Sequence, residues 1–125
     1  MIRVFLVALL TIVSCTVLAQ QWTEVFKNEV GDTYYIDFSS LKREGQKRIF
    51  WRATDYKEPI GTRVYSTRNK VLLDCRQATL VLLHETYFTQ RGLKGAPASP
   101  EPTGQLVRIA PQTVNAELMR LVCSK

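Results

Sequence analysis

Two cysteines far apart in the chain place the strongest constraint on its fold. Cys75 ends a strand-like run, and Cys123 lies in the last turn of a helical pattern at the C terminus. A bond between them would close a loop of about 49 residues, worth roughly 4 kcal/mol in the chain-entropy model. We therefore predict a Cys75–Cys123 disulfide that holds the helix to the sheet. Two buried thiols are the less favoured alternative.

Residues 1–19 predict export, the condition under which such a disulfide persists. Arg3 precedes an apolar run from Val4 to Val13, and small residues follow, which is the layout of a secretory signal peptide. A transmembrane helix needs roughly 20 apolar residues, and polar residues interrupt this run. An uncleaved anchor is thus disfavoured, and residues 20–125 are predicted to form one domain.

Two cleavage sites are open. "IVSC" resembles a lipobox, so Cys15 is a candidate lipidation site, whereas cleavage after Ala19 releases a chain that begins at Gln20. We favour Ala19, because the apolar "TVLA" after Cys15 is a poor lipid tether. The predicted location is the periplasm or cell surface, with an outer-membrane lipoprotein as the alternative and membrane contact only if Cys15 is lipidated.

The domain contains several segments with the alternation of apolar and polar residues that is typical of strands. They are "QWTEVFKNE", "TYYID", "KRIFWRATDY", "VYSTRNKVLLDC", "RQATLVLLHETYF" and a short one near "QLVRIA". Between the second and third, residues 37–45 predict a break with one helical turn anchored by Leu41. Leu80 to Leu83 predicts a strand that is buried on both faces, and residues 89–105 predict a long loop rich in Gly and Pro.

The third segment predicts two different faces. Its core-facing residues are expected to be Ile49, Trp51 and Ala53. Its water-facing residues are expected to be Arg48, Arg52 and Thr54.

The C-terminal segment "PQTVNAELMRLVC" predicts the one helix. Thr113 is a candidate N-cap, and the apolar face comprises Val114, Leu118, Leu121 and Val122. Consecutive strands with short links favour hairpins. The predicted fold class is therefore α+β: a single antiparallel sheet of five or six strands with the C-terminal helix packed on one face and one disulfide.

Positive charge predicts an acidic partner. The formal net charge is +6, and "LKREGQKR" gathers Lys42, Arg43, Lys47 and Arg48 as a candidate anion patch. Such a patch could bind an acidic glycan, lipid head groups or an acidic protein, and a solvated loop is the alternative. Basic and aromatic residues also interleave between Tyr34 and Arg68, which we interpret as core and cross-strand packing. Export argues against nucleic acid.

No catalytic constellation is evident. His84 is the only histidine and has no motif around it, and there is no CxxC pair. We therefore predict no catalytic residues, no metal site, no cofactor and no enzymatic activity.

Four stretches in order resemble the surface-adhesin protein E family of bacteria: "TYYIDFSSL", "RIFWRATDY", Asp74–Cys75 and "APQTVNAELMRLVC". The resemblance implies a small antiparallel sheet with a packed helix, a disulfide between the two matching cysteines, and a homodimer. It also implies a non-enzymatic envelope role in binding host matrix proteins such as vitronectin and laminin. The alternative function is a soluble periplasmic module of structural or inhibitory role that acts on envelope components.

Overall fold

The structure is a computed structural model that describes Ile12 and residues 20–125. The predicted signal peptide and the candidate lipidation site at Cys15 lie outside the described residues, apart from Ile12. Within the described part, no helix has both the length and the apolar character needed to cross a bilayer. The secondary structure comprises β1 Thr23–Lys27, β2 Thr33–Glu44, β3 Lys47–Ile60, β4 Val64–Asp74, β5 Thr79–Gln90, β6 Lys94–Ala98, β7 Val107–Arg108 and α1 Val114–Cys123.

The strands form one sheet in the order β1-β2-β3-β4-β5-β6, and β7 pairs with the start of β5. Each pairing is antiparallel. The predicted single antiparallel sheet with a C-terminal helix is confirmed, although it has seven strands rather than five or six. The additional strand is β6, which lies in the predicted loop 89–105 and forms a hairpin with β5.

The predicted break at residues 37–45 is wrong, because β2 continues to Glu44 through an irregular stretch. Asp37 lies opposite Trp51 while Lys42 lies opposite Ile49, so β2 holds extra residues at this point. The Ser40 hydroxyl accepts a 2.9 Å hydrogen bond from the Trp51 backbone N–H. The polar residues that indicated a turn thus stabilise a bulge.

The helix begins as predicted. The Thr113 side chain caps it by accepting a hydrogen bond from the Ala116 backbone N–H. Leu118 and Val122 are fully buried against the sheet. They belong to the main core cluster, whose buried members are Ile36, Phe50, Val71, Leu73, Leu80, Ile109, Leu118 and Val122.

The disulfide between Cys75 and Cys123 is present and joins the residue after β4 to the last turn of α1. The Cα atoms are 5.9 Å apart. The backbone N–H of Cys75 also donates to the Gln46 carbonyl at 2.8 Å. The bond therefore fixes the helix C terminus beside the β2–β3 turn.

The predicted faces of β3 are inverted under the helix. Phe50 is fully buried there, opposite Val71 of β4, whereas Ile49 and Trp51 lie on the other face and are half-buried. Ala53 shares that other face but is 4% exposed, so its predicted burial is confirmed. Both sets of alternate residues in "RIFWRAT" contain large apolar side chains. Alternation alone therefore cannot decide which face the helix covers.

The prediction that Arg52 and Thr54 face water is also wrong. Arg52 donates to the side-chain oxygens of Asn69 on β4, at 3.3 Å, and Asn115 on α1, at 2.8 Å. Its burial lowers the pKa of the guanidinium from its usual value. Thr54 is 4% exposed. A polar layer thus continues the core between sheet and helix.

The predicted double-sided burial of residues 80–83 holds at one end only. Leu80 is 3% exposed, but Leu83 is 42% exposed. The pairing of β4 with β5 shifts by one residue between Lys70 and Val71, which leaves Leu83 unpaired at a bulge. The bulge turns its side chain toward solvent.

Arg48 is 3% exposed, so the prediction that it faces water is wrong. Its guanidinium donates to backbone carbonyls of Val122 at 3.2 Å, Gly45 at 2.9 Å and Lys47 at 3.0 Å. A cation at the C-terminal end of a helix is also favoured by the helix dipole. Arg48 therefore stabilises the contact between the β2–β3 turn and the end of α1.

We expect Arg48→Ala to lower the free energy of unfolding by about 2 kcal/mol, since hydrogen bonds from a charged donor are lost at a buried site. Arg43 is the matched control, because it lies directly opposite Arg48 and is exposed. Arg43→Ala should change stability by less than about 0.5 kcal/mol. Urea unfolding of the three proteins checks this, and equal losses in both variants would contradict the assigned role.

Candidate functional site

The sheet face opposite α1, here called the outer face, carries a row of side chains across its middle strands. Trp51, Lys70 and His84 lie directly opposite one another on β3, β4 and β5. Arg68 lies in the neighbouring row on β4. Directly paired residues project from the same face of a sheet, so these side chains share one surface.

Arg68 is held between two aromatic rings at this surface. Its guanidinium carbon lies 5.4 Å from the centroid of the Trp51 ring and 5.8 Å from that of Phe88. Its Nε is buried and has no hydrogen-bond partner. Within residues 20–125, the single ion pair joins Arg120 to Glu117 on the helix. The charge of Arg68 is therefore stabilised by ring faces and is not neutralised by a carboxylate.

The structure separates the four residues of the predicted anion patch. Lys42 lies opposite Ile49 on the outer face, and Lys47 projects from that same face. Arg43 lies opposite Arg48 on the helix side. Lys42, Arg43 and Lys47 are exposed, whereas Arg48 is buried. The patch therefore reduces to two lysines on the outer face and one arginine on the opposite side.

The outer face instead joins these lysines to cations from another strand. Lys47 is four residues from Trp51 along β3, which corresponds to about 13 Å, and Lys70 lies opposite Trp51. One surface therefore carries four cationic side chains, those of Lys42, Lys47, Lys70 and Arg68. Sequence reasoning missed Arg68 and Lys70 as site residues. The interleaving of basic and aromatic residues could have indicated them, but it was assigned to packing.

Two carboxylates of the outer face, Asp37 and Asp74, have local partners. Asp37 is buried, and its Oδ1 accepts from the backbone N–H of Ser39 at 3.0 Å. Asp74 Oδ1 accepts from the backbone N–H groups of Arg76 and Gln77, both at 2.9 Å. These acids stabilise turns and bulges, and none forms a salt bridge with Arg68.

His84 is exposed, and its ring packs edge-on against Trp51 with centroids 5.5 Å apart. Within the described range, no three metal-ligating side chains come together. The geometry of this surface, in which Trp51, Arg68 and Lys70 are half-buried and His84 is exposed, is suited to binding anionic groups on a preformed platform.

The model of the surface-adhesin protein E family matches residues 22–124. The chain belongs to this family. No curated protein matches it. The resemblance in sequence is thus confirmed, and it extends over the whole sheet and the helix.

Solved structures of protein E share the fold of this surface-adhesin E family member. Crystal form II of Haemophilus influenzae protein E is 20% identical, with a TM-score of 0.63 over 86% of this chain and 90% of that chain. A second structure of Haemophilus influenzae protein E is 20% identical, with a TM-score of 0.61 over 86% of each chain. Protein E from non-typeable Haemophilus influenzae is 20% identical, with a TM-score of 0.58 over 87% of this chain and 79% of that chain. At this identity the likeness shows the fold alone.

Proposed function

We propose that the protein is an exported, non-enzymatic surface adhesin that binds an acidic protein or glycan through the outer face of its sheet. The observation that carries the proposal is Arg68, which is fixed between Trp51 and Phe88 without a carboxylate partner. Membership of the surface-adhesin protein E family supports an envelope role. Host matrix proteins are the partner class that we expect.

The physical basis is a preformed cationic platform. A guanidinium already ordered by two rings loses little rotamer freedom when it binds, and it can meet a carboxylate or sulfate with two parallel hydrogen bonds. Lys42, Lys47 and Lys70 extend the positive field along the same face and accelerate the approach of an acidic partner. Binding should therefore weaken as salt rises.

The proposal includes a location and an assembly. We place the protein at the cell surface, either lipidated at Cys15 or held there by its partner, and we expect two copies to associate. Protease treatment of intact cells checks the location, and sedimentation velocity of the exported protein checks the assembly. A chain that protease never reaches on intact cells would favour the soluble periplasmic module instead.

Purified protein and immobilised heparin, used as the acidic probe, test the binding surface. We expect the double variant Arg68→Gln, Lys70→Gln to raise the Kd about tenfold, since charge-assisted contacts are removed. The matched control is Arg43→Gln, Arg76→Gln, which removes the same charge from exposed positions on the helix side of β2 and in the β4–β5 turn. An equal loss of heparin affinity in both double variants would mean that net charge alone explains the binding. That result would contradict the proposed surface.

A further inference from the structure

A cavity at the end of the outer face, on the side of β1, differs in character from the cationic platform. Its volume is about 210 Å³, and it is lined by Trp22, Tyr35, Ala53, Asp55, Gly92 and Leu93. Glu24 lies opposite Tyr35, which in turn lies opposite Ala53. The cavity therefore combines two aromatic rings with a carboxylate and has a second carboxylate beside it.

The β5–β6 turn closes one side of this cavity. The backbone N–H of Gly92 donates to Asp55 Oδ1 at 2.8 Å, and that of Leu93 donates to Ser66 Oγ at 3.1 Å. Arg91 donates to the Tyr56 carbonyl at 2.8 Å. The turn requires a φ of +75° at Gly92, a conformation that glycine adopts readily. These bonds hold the cavity open before any ligand arrives.

The cavity has the opposite charge preference to the rest of the chain. None of its lining residues is basic, although the chain carries a formal net charge of +6. Asp55 Oδ1 is used by Gly92, and Oδ2 accepts no hydrogen bond from the described residues. Burial, followed by the charges of Asp55 and Glu24, raises the pKa of the Tyr35 hydroxyl. Asp55 therefore contributes to the lining of an aromatic cavity a carboxylate that has one oxygen without a hydrogen-bond donor among the described residues.

We propose that this cavity binds the guanidinium or ammonium group of an arginine or lysine side chain on a protein partner. A cation is attracted to the faces of Trp and Tyr rings, and the free oxygen of Asp55 can accept a charge-assisted hydrogen bond from it. The volume admits one side-chain head and excludes a large ligand. The outer face would thus bind groups of both charges on one partner. Arg68 would bind an acidic group of the partner, and the cavity at Trp22 would bind a basic group.

Titration with N-acetylarginine methylamide, followed by NMR of the ¹⁵N-labelled exported protein, tests the cavity. We expect saturable shifts of the Trp22 indole and the Gly92 amide, while the Trp51 indole serves as the internal reference. The uncharged citrulline analogue should bind about tenfold more weakly, because it retains the shape and loses the charge. Absent shifts at Trp22, or equal affinity for both probes, would overturn the proposal.

Asp55→Asn supplies the matched variant, because asparagine keeps one oxygen that can accept from Gly92 and replaces the second, charged oxygen with an NH2 group that cannot accept from a cation. We expect its Kd for the arginine probe to rise about tenfold. Glu29→Gln removes the same charge from an exposed turn residue and should leave the Kd unchanged. An unchanged Kd in Asp55→Asn would overturn the proposal. None of these outcomes affects the heparin experiment at Arg68.

Discussion

Removal of the Cys75–Cys123 disulfide is expected to lower the free energy of unfolding by about 4 kcal/mol, because the open chain regains the entropy of a long loop. The two cysteines are separated by 48 residues, and the bond joins sheet to helix. Whole domains are stable by about 5–15 kcal/mol, so this loss is a large fraction of the total. The variant should have a clearly lower urea midpoint.

The measurement compares wild type with Cys75→Ser, Cys123→Ser in urea, with and without reductant. Wild type in reductant should match the double variant, and reductant should not change the variant itself. This comparison separates the bond from the effect of the two substitutions. A double variant within about 1 kcal/mol of the oxidised wild type would contradict the assigned role.

Phe50→Ala is expected to cost about 4 kcal/mol, because a fully buried aromatic side chain is deleted under the helix. Phe50 is 0% exposed and belongs to the cluster that contains Leu118 and Val122. The control is Ile60→Ala on the same strand, where the side chain is 52% exposed. That change should cost less than about 1 kcal/mol.

Urea unfolding of both variants tests the inverted faces of β3 directly. If Phe50 pointed away from the helix, its removal would cost little more than that of Ile60. Similar losses in the two variants would therefore contradict the packing described above.

The local features of this fold could be predicted from the sequence. Thr113 was identified as the helix cap because its short polar side chain precedes an apolar helical pattern, and this signal spans only a few residues. The cysteine pair was identified because export leaves a single pairing within the domain. Both predictions depend on nearby residues or on counting, and neither needs the tertiary structure.

Which face of β3 the helix covers could not be predicted from the sequence, and the reason is physical. Phe50 and Trp51 are adjacent and both are large and apolar, so the strand has no single hydrophobic side. The choice is made by α1, which lies more than 60 residues away in the chain. Arg48 illustrates the same limit, since the carbonyls that make its burial favourable belong in part to the helix end.

The candidate site was only partly visible for a similar reason. Lys42 and Lys47 lie in one basic run of the sequence, so they could be predicted as part of an anion-binding patch. Arg68 and Lys70 join them only because β4 pairs with β3. The cavity lined by Trp22 likewise combines residues from β2, β3 and the β5–β6 turn. Such sites depend on strand register, which periodicity alone does not fix.

Adhesion of intact cells to immobilised vitronectin and laminin tests the central claim most directly. Cells that produce wild type, Arg68→Gln with Lys70→Gln, or the control Arg43→Gln with Arg76→Gln would be compared at equal amounts of protease-accessible protein. We predict that the outer-face variant loses most of the adhesion and that the control retains it. Undiminished adhesion of the outer-face variant at equal surface amounts would contradict the claim that this face binds the partner.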